Sequence, residues 1–229
     1  MSENLIIAID GPAASGKSTA AKRLARELGY LYLDTGAMYR AITYSVIKRN
    51  IFGEIDKIID FVKGINLSMK YENGVTRVFV NGEEVTDFIR TPEVSGKVSE
   101  ISRIPEVRSE MVKLQRKLAD EGNLVAEGRD ITTVVFPEAD VKIYMTASVE
   151  ERAERRYKEH LERGDEITLD EVLENLKKRD EIDSGREVSP LRKAEDAVEL
   201  DTTDITVDQE LQRMVDLVNE AKNKKFNRQ

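Results

Sequence analysis

The stretch LIIAIDGPAASGKSTAAKRLARELG, Leu5 to Gly29, decides the fold. Leu5 to Ile9 is a short, continuous apolar run closed by Asp10 and Gly11, the pattern of a buried strand. Gly11 to Ser18, GPAASGKS, fits G-x-x-x-x-G-K-[ST]. After it, TAAKRLAREL sets Ala21, Leu24, Ala25 and Leu28 at helical intervals before a stop at Gly29. Strand, loop and helix therefore stand in the order a phosphate loop requires. Gly11 and Gly16 let the backbone turn without Cβ clashes, so that successive N–H groups converge on an anion at the positive end of the helix. The loop from Gly11 through Pro12, Ala13, Ala14, Ser15, Gly16, Lys17 and Ser18 to Thr19 is thus expected to hold ATP. Lys17 would reach the outer phosphates, and the Ser18 hydroxyl would ligate Mg2+.

Composition narrows the chemistry. The 229 residues suffice for one α/β domain with small insertions. Lys+Arg 36 against Asp+Glu 44 gives a net charge of -8, which argues against a nucleic-acid or membrane-surface partner. With no cysteine and one histidine, thiolate nucleophiles, disulfides and histidine-rich metal sites are excluded. The chemistry must run on arginine, lysine, carboxylates and backbone. No segment reaches the roughly 20 apolar residues of a membrane span, and MSENLII lacks the features of a signal peptide. A cytoplasmic monomer is the expectation.

Further apolar runs at 30–34, 124–128, 141–145 and 197–200 read as buried strands. They alternate with helical patterns at 36–49, 105–121, 149–162, 168–182 and 207–222. The alternation predicts a parallel sheet of about five strands flanked by helices, with ligands at the carboxyl ends of the strands. Residues 66–85 break the pattern. Asn73-Gly74 and Asn81-Gly82, each between alternating apolar and polar residues, predict a three-stranded antiparallel meander with type I′ turns. Tyr71, Val78 and Val80 are read as its packing. The expected division is a core of 1–60 and 101–229, a lid within about 150–168, and an insertion at 61–100. The lysine-rich end AKNKKFNRQ is read as a frayed tail.

Three separated segments, LDTGAMYR (33–40), EGRD (127–130) and RDEIDSGR (179–186), offer Arg40, Arg129, Arg179 and Arg186 to the region facing the phosphate loop. Guanidinium forks suit an acceptor that is itself a phosphate. Such an acceptor has a second pKa near 6 and is mostly ionised at neutral pH, so it needs no general base. The bland alternative is structural pairing of these arginines with Asp34, Asp130, Asp180 and Asp183.

At these residues the chain resembles the bacterial cytidylate kinases, members of the nucleoside monophosphate kinases. GPAASGKST, YLDTGAMYR, VNGEEVTDFIRTPEV, EGRDITTVVFPEADVKIYMTAS and RDEIDSGREVSPL appear in the family's order over nearly the whole chain. The resemblance implies a P-loop NTPase fold and transfer of the γ-phosphoryl of ATP to CMP or dCMP. It implies catalytic roles for Lys17, Arg129 and Arg186, and places Arg40, Arg129 and Arg186 on the acceptor phosphate with Thr35 and Tyr39 lining that site. Arg179 and Asp183 would contact the sugar, and Ser99, Arg108 and Asp130 would read the base. A carboxylate at Asp130 accepts from the exocyclic amine of cytosine and repels the carbonyl that uracil has there. Two positions depart from the family's pattern: Glu127 stands where aspartate is commoner, and Thr132 where glycine is usual.

Two readings of the residues stay open here. Arg152, Arg155 and Arg156 lie at helical spacing, where Glu151–Arg155 could be an ordinary surface pair. A lid would instead bring one or two of them to the donor phosphates, with Arg155 the candidate, and the resemblance favours the lid. His160 is read as a solvated helix residue without a partner. Beside a CMP kinase stand a phosphate-loop kinase with another acceptor (UMP, AMP or a small metabolite) and a non-catalytic ATP sensor.

Overall fold

The computed structural model describes residues 4–72, 75–120 and 122–227. The apolar start of the chain forms β1 (Ile6–Asp10), the innermost strand of a five-stranded sheet. The other four are β2 (Leu31–Asp34), β6 (Leu124–Gly128), β7 (Val141–Thr146) and β8 (Val198–Asp201). Their order is β2-β6-β1-β7-β8 and all four pairings are parallel, with Ile7 opposite Val125 on one side and Val141 on the other. The chain leaves β1, runs to the edge strand β2 and returns to β6, so the direction of winding switches beside β1. Brackets of this kind open a crevice at the carboxyl ends of the strands.

The period-two alternation along β1 divides two cores. Ile7 and Ile9 face α1 (Lys17–Leu28) and α8 (Val207–Phe226), packing with Leu24, Met214 and Val218. Ala8 faces the other way, with Met38 and Ile42 of α2 (Thr35–Lys48) and Met111 of α5 (Pro105–Ala119). Each fully buried side chain of this size contributes about 1.5–3 kcal/mol by leaving water.

The antiparallel sheet consists of β3 (Leu67–Glu72), β4 (Val75–Val80) and the two-residue β5 (Glu83–Glu84). Asn81 and Gly82 have φ of 51° and 84°, the two positive angles that a type I′ turn demands. The Asn73-Gly74 turn lies outside the described residues. Val78 and Val80 pack with Val85 and Ile89 on Ala37 and Ala41 of α2, which seats the meander beside the crevice; the side chain of Tyr71 lies outside the described set.

Two helices were not foreseen, α3 (Ile55–Lys63) and α4 (Pro92–Ser102), and both feed the core through Ile58, Val62, Val98 and Ile101. Thr91 caps α4 by accepting from the Val94 N–H, with Pro92 at the first turn. A π-helical turn, Ile131–Val135, follows β6. The helix pair α6 (Val149–Glu162) and α7 (Leu169–Ser184) packs Ala153, Val172 and Leu176 on Ala13 of the phosphate loop. The C-terminal expectation needs correction. Residues 221–226 are helical, with Lys222 over the Tyr30 ring and Lys225 Nζ 3.0 Å from Asp140, because α8 continues along the sheet to the base of β1.

Candidate active site

The crevice is a cleft of about 770 Å³. Its floor is the phosphate loop. Gly16 is the N-cap of α1 at φ 89° with no side-chain cap, so the first N–H groups of the helix remain available to an anion. Lys17 is buried and its Nζ donates to Pro12 O at 2.7 Å and Ser15 Oγ at 3.4 Å. Burial first, then the Arg129 charge, pulls its pKa down to about 7. The Ser18 hydroxyl donates to Glu127 Oε1, which also accepts from Tyr32 at 3.1 Å. Residues 13–19 line the cleft. Gly11 and Pro12 do not; they shape the loop from behind. A Cβ on Gly11 would stand 2.0 Å from the Met145 carbonyl oxygen, which is why that position carries glycine.

Opposite the loop, α2, the segment after β6, and α7 with its following turn bring the predicted arginines together. Arg40, Arg129, Arg179 and Arg186 all line the cleft, as do Thr35, Tyr39, Ser99, Arg108, Asp130 and Asp183. Pairing accounts for some of them. Arg129 Nε donates to Asp183 at 2.9 Å, and Arg186 Nε to the Asp183 carbonyl at 3.2 Å. Arg108 is bound to Asp130 in a buried ion pair and donates to Ser102 O at 2.9 Å. The other carboxylates are taken elsewhere: Asp34 caps α2 and holds Arg90 at 2.9 Å, and Asp180 holds Arg152 at 2.7 Å.

Two arginines are left over. Arg40 completes no hydrogen bond or ion pair among the described residues, and Arg179 has a buried Nε without a partner. Burial and then neighbouring guanidinium groups push Arg179 down to about 9. Burial likewise brings Arg40 to about 10, against the opposing Asp34 charge. Unpaired cations crowded into one wall are costly unless an anion joins them. The wall therefore has the charge to hold a second anion apart from the phosphate loop.

The remaining predictions fare unevenly. Arg155 lines the cleft, yet here it makes the i, i+4 pair with Glu151 at 3.0 Å and donates to Thr202 O at 2.7 Å. Arg152 is buried against Ala13 O and Asp180. His160 is not a solvated residue without a partner: its Nδ1 lies 2.7 Å from Asp165, on the turn that ends α6. Arg90, which the sequence leaves open between a surface charge and lining of the insertion, lines the cleft, whereas Glu210 was missed altogether. Glu210, on the first turn of α8, is buried with an unpartnered Oε1 at the cleft wall. Burial pushes its pKa up to about 7. Its signal was available, because the loop after β8 sits at a strand's carboxyl end.

Residues 7–220 match the family model described as cytidylate kinase. The chain belongs to the cytidylate kinase family. A cytidylate kinase from Bacillus cereus (strain B4264) is 47% identical over 219 residues, covering 95% of this chain and 97% of the relative. One from Geobacillus sp. (strain WCH70) is 48% identical over 221 residues, covering 96% and 99%. A solved structure of an uncharacterized protein from Eubacterium ventriosum ATCC 27560 aligns with a TM-score of 0.52 at 13% identity, over 95% of this chain and 99% of that one. That likeness concerns the fold. Both departures from the cytidylate kinase pattern now have contacts. Glu127 reaches the Ser18 hydroxyl directly. Thr132 donates both its N–H (2.7 Å) and its hydroxyl (2.6 Å) to Asp10, which also accepts from the Ile131 N–H at 2.8 Å.

Proposed function

We propose that this phosphotransferase moves the γ-phosphoryl of ATP to CMP or dCMP, giving ADP and CDP or dCDP. The observation that carries the reading is the pair of half-buried guanidinium groups, Arg40 and Arg179, which complete no hydrogen bond or ion pair among the described residues and line the same cleft as the phosphate loop. A protein that only sensed ATP has no use for a second anion seat. An acceptor phosphate held there is already ionised, so its oxygen attacks the γ-phosphorus in line as the bond to the β–γ bridging oxygen breaks and ADP leaves. Arg129 and Arg186 orient the acceptor, while Lys17 and the loop amides stabilise charge on the transferring group.

The described residues contain no cluster of three or more histidine, aspartate or glutamate side chains that could hold a metal by themselves. Magnesium fits as an ion shared between the protein and the nucleotide: the Ser18 hydroxyl would ligate it, with Glu127 behind. When bound, it neutralises charge on the donor phosphates. Asp130, fixed by Arg108, supports cytosine through its exocyclic amine, and Asp183 supports the sugar together with Arg179, whose guanidinium would reach both the sugar and the acceptor phosphate. In this reading residues 61–100 act as the acceptor-side insertion, 150–168 act as the lid, and the protein works as a monomer in the cytoplasm. No described helix is long and apolar enough to cross a membrane.

A coupled ADP-release assay across CMP, dCMP, UMP and AMP tests the proposal. Rapid turnover with the two cytidine nucleotides is expected. ATP left intact beside CMP refutes it.

A further inference from the structure

Behind the acceptor wall lies a group of polar atoms that the proposed reaction leaves unused. Gln115, on the inner face of α5, is fully buried and does not line the cleft, yet neither atom of its amide has a hydrogen-bond partner. Its neighbour Tyr39 carries a buried hydroxyl that is also unpartnered, although the amide sits close enough to favour ionisation of the phenol against the effect of burial. The Tyr39 ring lies under the Arg108 guanidinium, 5.4 Å from centroid to carbon, and Arg108 Nε is a further buried donor without a partner. Arg108 in turn holds Asp130. A continuous contact chain thus runs from Gln115 through Tyr39 and Arg108 to the carboxylate that faces the base.

Buried donors and acceptors left unmade cost more than an ordinary hydrogen bond returns. An amide kept only to stabilise the fold would be bonded in the form seen here, and an apolar side chain of the same volume would serve better. The unused capacity of Gln115, Tyr39 and Arg108 points to a second arrangement of the same groups, in which those bonds are made.

We propose that Gln115 is a positioning residue for the acceptor base: its amide bonds the Tyr39 hydroxyl as the base seats on Arg108 and Asp130, adding to acceptor affinity and to the preference for cytosine. Gln115 itself never touches the substrate. The inference rests on CMP being the acceptor, as argued above.

The test is steady-state kinetics of Gln115→Leu, Tyr39→Phe and the double variant, with CMP and UMP as acceptors. Gln115→Leu is expected to raise KM for CMP about five- to tenfold, the size of one lost hydrogen bond, and to narrow the CMP-to-UMP ratio of kcat/KM. The kcat and the KM for ATP should stay within about twofold, a split that merely structural damage would not produce. Tyr39→Phe should act in the same direction, and the double variant should be no worse than the more impaired single variant.

Unchanged KM for CMP in a folded Gln115→Leu, equal loss for both substrates, or additive effects in the double variant would each overturn the proposal. Where Gln115→Leu does not fold, Gln115→Met takes its place. Failure of both to fold assigns the amide to the fold and overturns the proposal as well. A parent enzyme inert toward CMP refutes the proposed function, whereas an active parent with indifferent Gln115 variants refutes this inference alone.

Discussion

The two phosphate seats proposed for this cleft are built in opposite ways. The donor seat is contiguous: residues 11–19 supply the turn, the amides, Lys17 and the Ser18 hydroxyl, and Lys17 is already folded over the loop onto Pro12 O. The acceptor seat is assembled from side chains of α2, the turn after β6, and α7 with its following turn. Burial and the neighbouring guanidinium charges hold Arg40 and Arg179 below the ordinary arginine range. One seat is a property of local backbone. The other is a property of the whole fold and is held at a cost.

That contrast can be broken at its strongest point by Lys17→Met. Loss of the cation at the transferring group should lower kcat by about a thousandfold with every acceptor, because the donor seat serves them all; activity within tenfold of the parent would remove Lys17 from the chemistry. Arg129→Ala should instead be felt through the acceptor. A lost charged hydrogen bond predicts a fall in kcat/KM for CMP of about ten- to a hundredfold with KM for ATP nearly unchanged, and steady-state kinetics read both values.

Arg179→Met sharpens the claim that the second seat is costly. The variant should lose activity toward CMP, while the ligand-free protein melts about 2–4 °C higher, the equivalent of about 1 kcal/mol at this size. A lower melting temperature would mean that Arg179 is a net structural support.

The smallest expected effect concerns Glu210, where the donor side carries a cost of its own. Its carboxyl titrates at about 7, above the ordinary carboxylate range, so the folded state holds the proton more tightly than the unfolded chain. The resulting stability is present at low pH and is lost as pH rises through 7. Glu210→Gln should therefore melt with the parent at pH 5 and about 2 °C above it at pH 8. Equal melts at both pH values would show that the carboxyl ionises freely.

The same contrast explains what could be read from the sequence. A phosphate loop is legible because its parts are neighbours in the chain and its geometry needs glycine at fixed places, as the Gly11–Met145 approach shows. The parallel sheet was legible because β1 and β6 are buried on both faces and read as apolar runs, and β7 keeps Val141, Ile143 and Met145 buried on one face. Which arginines stay unpaired was not legible: Asp34, Asp130 and Asp180 are each taken by an arginine other than the nearest in sequence, Arg90, Arg108 and Arg152. Helix α4 was missed although Thr91-Pro92 is a start signal, because its apolar residues follow a stretch dominated by strand alternation. The docking of α8 and the His160–Asp165 pair arise from contacts that no local pattern encodes.

Asp10 ends the strand that leads into the phosphate loop, and its carboxylate grips the backbone immediately after Asp130 through Ile131 and Thr132. The phosphate loop and the segment after Asp130 are consequently tied to each other through one side chain. A graft of residues 127–135 from a kinase of different acceptor preference would alter the distance the phosphoryl group must cross unless the position-10 and position-132 partners travelled with it. In the proposed reading, acceptor choice and transfer geometry would change together.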